Sequence, residues 1–141
     1  MRDVLVDSSI WISFFKGAKG EEQIAAALDY LLAGDEAVIN EAIKSEVLPA
    51  MAVRNEDVTA IEAIRLSPMN IDWTAVRELQ IKCLKHGINK VGLIDLIIAR
   101  QAIDLDLPLF TLDKHFSLIA KIEPELKLWP SCLKNTKDGE W

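Results

Sequence analysis

The sequence predicts an α/β fold, a three-layer sandwich built on a mainly parallel central sheet. Short apolar runs typical of strands alternate along the chain with segments of helical periodicity, which favours parallel strands joined by helices. The chain has 141 residues, of which 50% are hydrophobic, so one domain can bury a substantial core. No internal repeat or linker divides it. We therefore predict one domain over residues 1–130, followed by a polar tail over residues 131–141.

The elements of the first third follow from apolar runs and stop signals. Residues 4–6 are a continuous apolar, β-branched run, as expected of a strand buried on both faces. A short amphipathic helix over residues 8–15 ends near Gly17. A second helix over residues 21–32 begins with acids that suit its positive end. Residues 37–39 form the next short strand.

The middle of the chain is more interrupted. Asn40 can cap a helix that runs through Val47, and Pro49 is expected to kink or divide this helix because it removes one internal hydrogen bond. A further helix is predicted over residues 55–66. Residues 69–71 are predicted as a minor strand after a proline.

The last third repeats the alternation of helix and strand. Helices are predicted over residues 73–86 and 92–105, the second being the most apolar of the chain. Residues 107–112 form the third main strand. One helical turn over residues 117–120 and a final strand over residues 126–129 complete the domain.

Composition excludes several classes of protein. The formal net charge is −6 and the pI is near 4.9, the wrong sign for long-range attraction to nucleic acid but compatible with an acidic site for divalent cations. No apolar run reaches the roughly 18–20 residues of a membrane span, and Asp3 and Asp7 do not fit a signal peptide. Cys83 and Cys132 lack zinc-type spacing. A reduced, cytoplasmic protein with no membrane segment is expected.

Two acids are predicted at strand ends. Asp7 directly follows the first strand, at the carboxyl end where ligands gather in parallel sheets. Asp113 follows the third main strand in the same way, and Thr111 should point to the same side. Each acid also has an ordinary alternative, since Asp7 can cap the next helix and Asp113 can be a turn acid or a cap. Neither acid decides the matter alone.

Two further acids lie on apolar helix faces. At about 100° per residue, Asp95 falls within the apolar arc of its helix, and Glu46 lies on the apolar side of the helix after Asn40. A buried carboxylate costs several kcal/mol unless it is paired, protonated or bound to metal. The alternatives are that Asp95 stabilises the helix dipole from the first turn and that Glu46 is a rim or salt-bridge residue.

The joint case is stronger, because two strand-end acids and two helix-face acids can meet at one edge of a parallel sheet. Such a cluster would repel itself when empty. Divalent cations would neutralise it, and hard oxygen ligands favour Mg²⁺ or Mn²⁺ over zinc. Carboxylates that hold one or two such ions suit attack by water on a phosphodiester.

Four motifs contain these acids: Val4-Leu5-Val6-Asp7-Ser8-Ser9, Ile43-Lys44-Ser45-Glu46-Val47-Leu48, Gly92-Leu93-Ile94-Asp95-Leu96-Ile97-Ile98-Ala99 and Phe110-Thr111-Leu112-Asp113-Lys114-His115-Phe116. In order and spacing they resemble the PIN domain family. The chain is most similar to the VapC-type toxin ribonucleases of prokaryotic toxin–antitoxin pairs, from about Val4 to Trp129. It departs from the pattern in Pro49 and in its acidic overall charge.

The resemblance implies a PIN-like α/β/α sandwich and a Mg²⁺- or Mn²⁺-dependent endoribonuclease that hydrolyses RNA. Asp7, Glu46, Asp95 and Asp113 match the acidic quartet of the family. Asp7, Asp95 and Asp113 would be metal ligands, Glu46 would act through water, and Ser9 matches a small hydroxyl position. The resemblance also implies a homodimer inhibited by a cognate antitoxin.

Other residues have weaker assignments. Lys114 and His115 lie next to Asp113 and are candidate substrate contacts, with solvated surface as the alternative. Leu48 and Met51 fall off the apolar arc of their helix, which predicts an exposed dimer or antitoxin surface.

Two other functions compete with the nuclease. A non-catalytic PIN-like module would bind RNA or a partner, but such a module should tend to lose some of the four acids. A receiver-like phosphoacceptor domain expects adjacent acids after the first strand, whereas Ser8 follows Asp7.

Overall fold

The computed structural model describes residues 2–17 and 19–130. Within them, four parallel strands form one sheet: β1 (Val4–Val6), β2 (Ala37–Ile39), β3 (Arg65–Leu66) and β4 (Leu109–Phe110), in the spatial order β3-β2-β1-β4. Seven helices accompany the sheet: α1 (Ser8–Lys16), α2 (Glu22–Ala33), α3 (Glu41–Val53), α4 (Thr59–Glu62), α5 (Trp73–Lys85), α6 (Leu93–Asp104) and α7 (Lys114–Ile122). This is the predicted three-layer α/β/α architecture.

The centre of the sheet is fully apolar. β1 pairs with β2 on one side and with β4 on the other, and all three strands are buried along their length. Their carboxyl ends therefore reach the same edge of the sheet. The residues that follow these strands at that edge are Asp7, Asn40 and Thr111.

The helices that carry the acids are anchored to this core. α1 packs against α2 and α3, α6 packs against α5 and α7, and α3 also contacts α6. The Trp11 indole N–H donates to the carbonyl of Val6 at 3.0 Å, which ties α1 to the end of β1. α1 ends at Gly17, whose φ of 61° lies in the left-handed region that glycine tolerates best.

Asn40 caps α3 as predicted, because its side-chain oxygen accepts the backbone N–H of Ile43 at 2.9 Å. Pro49 does not divide the helix, which continues to Val53 with Pro49 on its exposed side. The prediction of an exposed Met51 is wrong, because this side chain is only 2% accessible. Leu48 is partly buried against the core.

The predicted helix over residues 55–66 is wrong at both ends. Only α4 is helical, and Arg65 and Leu66 form β3 beside Val38 and Ile39 of β2. This pairing satisfies the edge of β2, so the minor strand expected at residues 69–71 is not formed there. Strand pairing between distant segments has overridden local helical periodicity.

The last elements differ from prediction in length. α7 is a full helix of nine residues rather than one turn, and Asp113 caps it by accepting the backbone N–H of His115. β4 is shorter than the predicted strand, and Leu128 makes only an isolated bridge to Leu109. The predicted tail over residues 131–141 lies outside the described residues. Of the described helices, none has the length and apolarity needed to span a membrane.

Candidate metal centre

Asp7 combines both roles that the sequence left open. It follows β1, is 3% exposed, and caps α1 by accepting the backbone N–H of Ser9. The same oxygen, Oδ2, accepts the hydroxyls of Ser9 at 2.7 Å and Thr111 at 2.9 Å. Burial raises the pKa of Asp7, although these hydrogen bonds oppose the rise. The carboxylate is therefore held in one orientation at the sheet edge.

Glu46 projects from α3 toward the same edge. Its Oε1 accepts the hydroxyl of Ser8 at 3.0 Å, a contact between the first turn of α1 and the middle of α3. Burial raises the pKa of Glu46, and the charges of Asp7 and Asp113 raise it further. A charge effect of this kind requires the three carboxylates to be near one another.

Asp95 is the most perturbed acid of the group. It lies in the first turn of α6 with 21% of its side chain exposed, so the dipole alternative also describes it. Burial raises its pKa to about 6, and the charges of Asp113, Asp7 and Glu46 add to the rise. The charge of His115 acts in the opposite direction. The four predicted acids therefore lie close enough to one another for their charges to interact.

Asp113 and His115 form the remaining side of the cluster. The backbone N–H of Asp113 donates to Thr111 Oγ1 at 2.9 Å, which fixes the turn between β4 and α7. His115 Nδ1 lies 3.4 Å from Asp113 Oδ1 and 3.7 Å from Asp95 Oδ2. Asp95, Asp113 and His115 each offer one potential ligand atom, and these three atoms lie within 4.8 Å of one another.

These residues fit a divalent cation. Carboxylate oxygens from α6 and the start of α7 are close enough to share one ion, and their mutual repulsion would be relieved by it. His115 Nδ1 is buried and makes no hydrogen bond, so it is an additional donor aimed at the two acids. Asp7 is near these residues, but it does not belong to the described group of donor atoms within 4.8 Å of one another. Its predicted role as a direct ligand stays a prediction.

Sequence reasoning missed two contributors. The sequence predicts Ser8 only as the first residue of the helix over residues 8–15, yet its hydroxyl donates to Glu46 Oε1. The sequence predicts His115 only as a substrate contact, which stays a prediction, and the structure adds that its ring nitrogen lies beside Asp95 and Asp113. In the sequence, His115 stands two residues after Asp113, a candidate helix cap. Side chains in the first turn of a helix lean back toward the cap, so this position could have indicated the contact. Lys114 is exposed.

Two cavities differ in their relation to this centre. A cavity of about 490 Å³ adjoins Glu46 and has a largely apolar lining that includes Ile71, Ile94 and Ile97. A larger one, of about 830 Å³, lies beside Arg2 and Pro108, which precede β1 and β4. The larger cavity is therefore at the amino ends of the strands, away from the acids, and only the smaller one adjoins the candidate site.

The chain belongs to the PIN domain family, whose sequence model matches residues 4–122. The match contains all four acids and the whole described sheet. PIN domains are generally nucleases that use divalent metals, and the acidic cluster is consistent with that class. None of the curated proteins matches the chain significantly.

Solved structures share this fold. VapBC2 from Rickettsia felis, bound to a DNA fragment from their promoter, has a TM-score of 0.65 and 20% identity, covering 89% of this chain and 96% of that one. FitAcB from Neisseria gonorrhoeae has a TM-score of 0.68 and 20% identity, covering 90% and 97%. PAE2754 from Pyrobaculum aerophilum has a TM-score of 0.50 and 16% identity, covering 87% and 96%.

Proposed function

We propose that the protein is a Mg²⁺- or Mn²⁺-dependent endoribonuclease and the toxin of a type II toxin–antitoxin pair. The observation that carries the proposal is the convergence of Asp7, Glu46, Asp95 and Asp113, whose mutual repulsion contributes to a pKa of about 6 for Asp95. Clustered carboxylates destabilise the folded protein unless a cation neutralises them, so a cluster of this kind indicates a functional site.

The proposed chemistry divides the work among the acids. Asp95 and Asp113 would hold the cation, which when bound supplies positive charge next to the phosphodiester and lowers the pKa of water. Asp7 would face the same ion in the orientation set by Ser9 and Thr111. Glu46 Oε1 is held by Ser8, and its other oxygen, Oε2, would accept a proton from the attacking water.

The substrate and partners come from the family resemblance. RNA is the proposed substrate because the motifs resemble VapC-type ribonucleases. The net charge of −6 would make RNA binding depend on the cation. A cognate antitoxin and a homodimer follow from the same resemblance, and the shared fold with the complexes named VapBC2 and FitAcB agrees with an antitoxin partner. The proposed compartment is the cytoplasm.

Cleavage of single-stranded RNA tests the catalytic part. We expect Asp7→Asn and Asp95→Asn each to lower the rate by about 100-fold or more with Mg²⁺ or Mn²⁺ present, because each removes a charge from the cation site. Asp106→Asn is the matched control, since Asp106 is exposed and paired with Arg2 away from the cluster. Undiminished cleavage in both site variants would refute the site, and RNA binding without cleavage in the wild type would favour a non-catalytic module.

The toxin role has a separate test. Expression of the wild type should arrest growth of a bacterial host, Asp95→Asn should not, and co-expression of the product of a short gene directly upstream should restore growth. An upstream gene whose product neither binds the protein nor restores growth would contradict the assignment to a toxin–antitoxin pair, even if RNA is cleaved.

A further inference from the structure

His115 occupies an unusual position for a histidine beside a cluster of acids. Its Nδ1 lies 3.4 Å from Asp113 Oδ1 and 3.7 Å from Asp95 Oδ2, so it faces both carboxylates at once. Donors bound at about 2.1 Å to one octahedral ion stand about 3.0 Å apart when they are adjacent. The observed spacings exceed this by less than an ångström, which small side-chain rotations can close.

The nitrogen also makes no hydrogen bond. Nδ1 of His115 is buried, although 35% of the side chain is exposed, and its contacts with the two nearby carboxylates do not have hydrogen-bond geometry. The position of His115 in the first turn of α7 is set by the cap, because its backbone N–H donates to Asp113 Oδ1 at 2.9 Å. His115 therefore forms, with Asp95 and Asp113, a group of potential donor atoms that lie within 4.8 Å of one another.

We propose that His115 Nδ1 is a direct ligand of the cation held by Asp95 and Asp113, and that this nitrogen makes the centre select Mn²⁺ over Mg²⁺. The inference rests on the proposed metal centre and specifies its ligands. Mg²⁺ favours oxygen donors in strict octahedral geometry. Mn²⁺ also suits oxygen donors, but as a transition metal it accepts an imidazole nitrogen and less regular geometry more readily than Mg²⁺ does, so one nitrogen shifts the relative affinity toward it.

The test is electron-spin-echo spectroscopy of Mn²⁺ bound to the protein. A nitrogen atom that binds Mn²⁺ directly modulates the decay of the echo. The chain has only two histidines, so His86 provides a matched control. His86 caps the end of α5, and its Nδ1 contacts the carbonyl of Lys82 at 2.9 Å. Nitrogen modulation is expected in the wild type and in His86→Gln, and its loss is expected in His115→Gln.

Affinity gives a second readout. We expect His115→Gln to weaken Mn²⁺ binding by about tenfold or more while Mg²⁺ binding changes by less than about threefold, as measured by titration calorimetry with each metal alone. Equal losses for both metals would contradict the selectivity. His115→Asn, measured in parallel with circular dichroism, separates loss of the ligand from loss of fold.

The outcomes distinguish this inference from the proposed function. Mn²⁺ bound without nitrogen modulation in the wild type overturns the inference but leaves an all-oxygen nuclease centre standing. Absence of any Mn²⁺ binding overturns it as well. Nitrogen modulation together with absence of RNA cleavage supports the His115 ligand while refuting the proposed ribonuclease.

Discussion

Asp95 lies at the centre of the electrostatics at the residue scale. Burial raises its pKa, and the like charges of Asp113, Asp7 and Glu46 raise it further. The carboxylate is not isolated from solvent, since 21% of the side chain is exposed. The carboxylates of the site thus repel one another. The free energy that this repulsion costs the folded protein changes with pH and with the binding of a cation.

We expect the metal-free protein to lose stability as the pH rises through about 6. The pKa of Asp95 is raised from 3.8 to about 6 in the folded state. A raised pKa contributes stability that is fully present below the unfolded value and is lost as the pH rises through the folded value. A shift of this size corresponds to roughly 3 kcal/mol at most, and solvent screening reduces it to about 1 kcal/mol.

Urea unfolding in EDTA at pH 5 and pH 7.5 measures this effect. Asp95→Asn should unfold with a smaller difference between the two pH values than the wild type, and it should be the more stable protein at pH 7.5. Asp106→Asn, which changes an exposed acid outside the cluster, should retain the wild-type difference. An unchanged pH dependence in Asp95→Asn would show that the charge of Asp95 does not destabilise the folded protein.

Thr111 is a positioning residue that the fold brings next to Asp7. Its hydroxyl donates to Asp7 Oδ2 at 2.9 Å and accepts the backbone N–H of Asp113 at 2.9 Å. We expect Thr111→Val to reduce RNA cleavage by about tenfold. The acid limb of the pH–rate profile should also move to higher pH, because the lost hydrogen bond had lowered the pKa of Asp7. Thr111→Ser should retain most activity, and a wild-type profile in Thr111→Val would contradict the role.

At the scale of elements, α3 shows how a cap positions a functional side chain. Asn40 is 1% exposed and accepts the N–H of Ile43, and the helix that it begins carries Glu46 two turns later. Asn40→Ala should lower the free energy of unfolding by about 1–2 kcal/mol. Asn40→Ser, which can still cap, should lose less, as measured by urea unfolding. Equal losses in the two variants would assign the effect to packing instead.

The segment between α3 and α5 shows the opposite case, in which local sequence does not decide the element. Arg65 and Leu66 have no feature that marks them as a strand, but β2 offers them an unpaired edge. Arg65 then contacts Asp3 at 2.7 Å and Asp35 at 3.5 Å beside the strands. Backbone pairing across the sheet replaces the helix that residues 55–66 would otherwise favour.

At the scale of the whole molecule, the net charge of −6 and the acidic cluster act in the same direction. Both oppose the approach of a polyanion, and both favour a bound cation. Under the proposed function the active form is the metal complex, and we expect the stability of the protein to depend on the metal concentration.

Added Mg²⁺ or Mn²⁺ should raise the Tm of the protein. A cation at 100 times its Kd stabilises the folded state by about 2.7 kcal/mol if it does not bind the unfolded chain. Scanning fluorimetry with and without EDTA measures the shift. Asp95→Asn should show a much smaller shift, whereas Asp106→Asn should match the wild type; an equal shift in Asp95→Asn would place the cation elsewhere.

The sequence by itself determined the fold class, the main helices and three of the strands, because apolar periodicity and capping residues are local signals. It also determined which carboxylates cost free energy on folding, since their positions on apolar helix faces and at strand ends can be read from the chain. Tertiary structure decided the edge strand β3, the burial of Met51 and the spacing of the donor atoms around Asp95. These depend on contacts between residues far apart in the chain, such as His115 with Asp95 and Ser8 with Glu46, and local sequence carries no record of such distances.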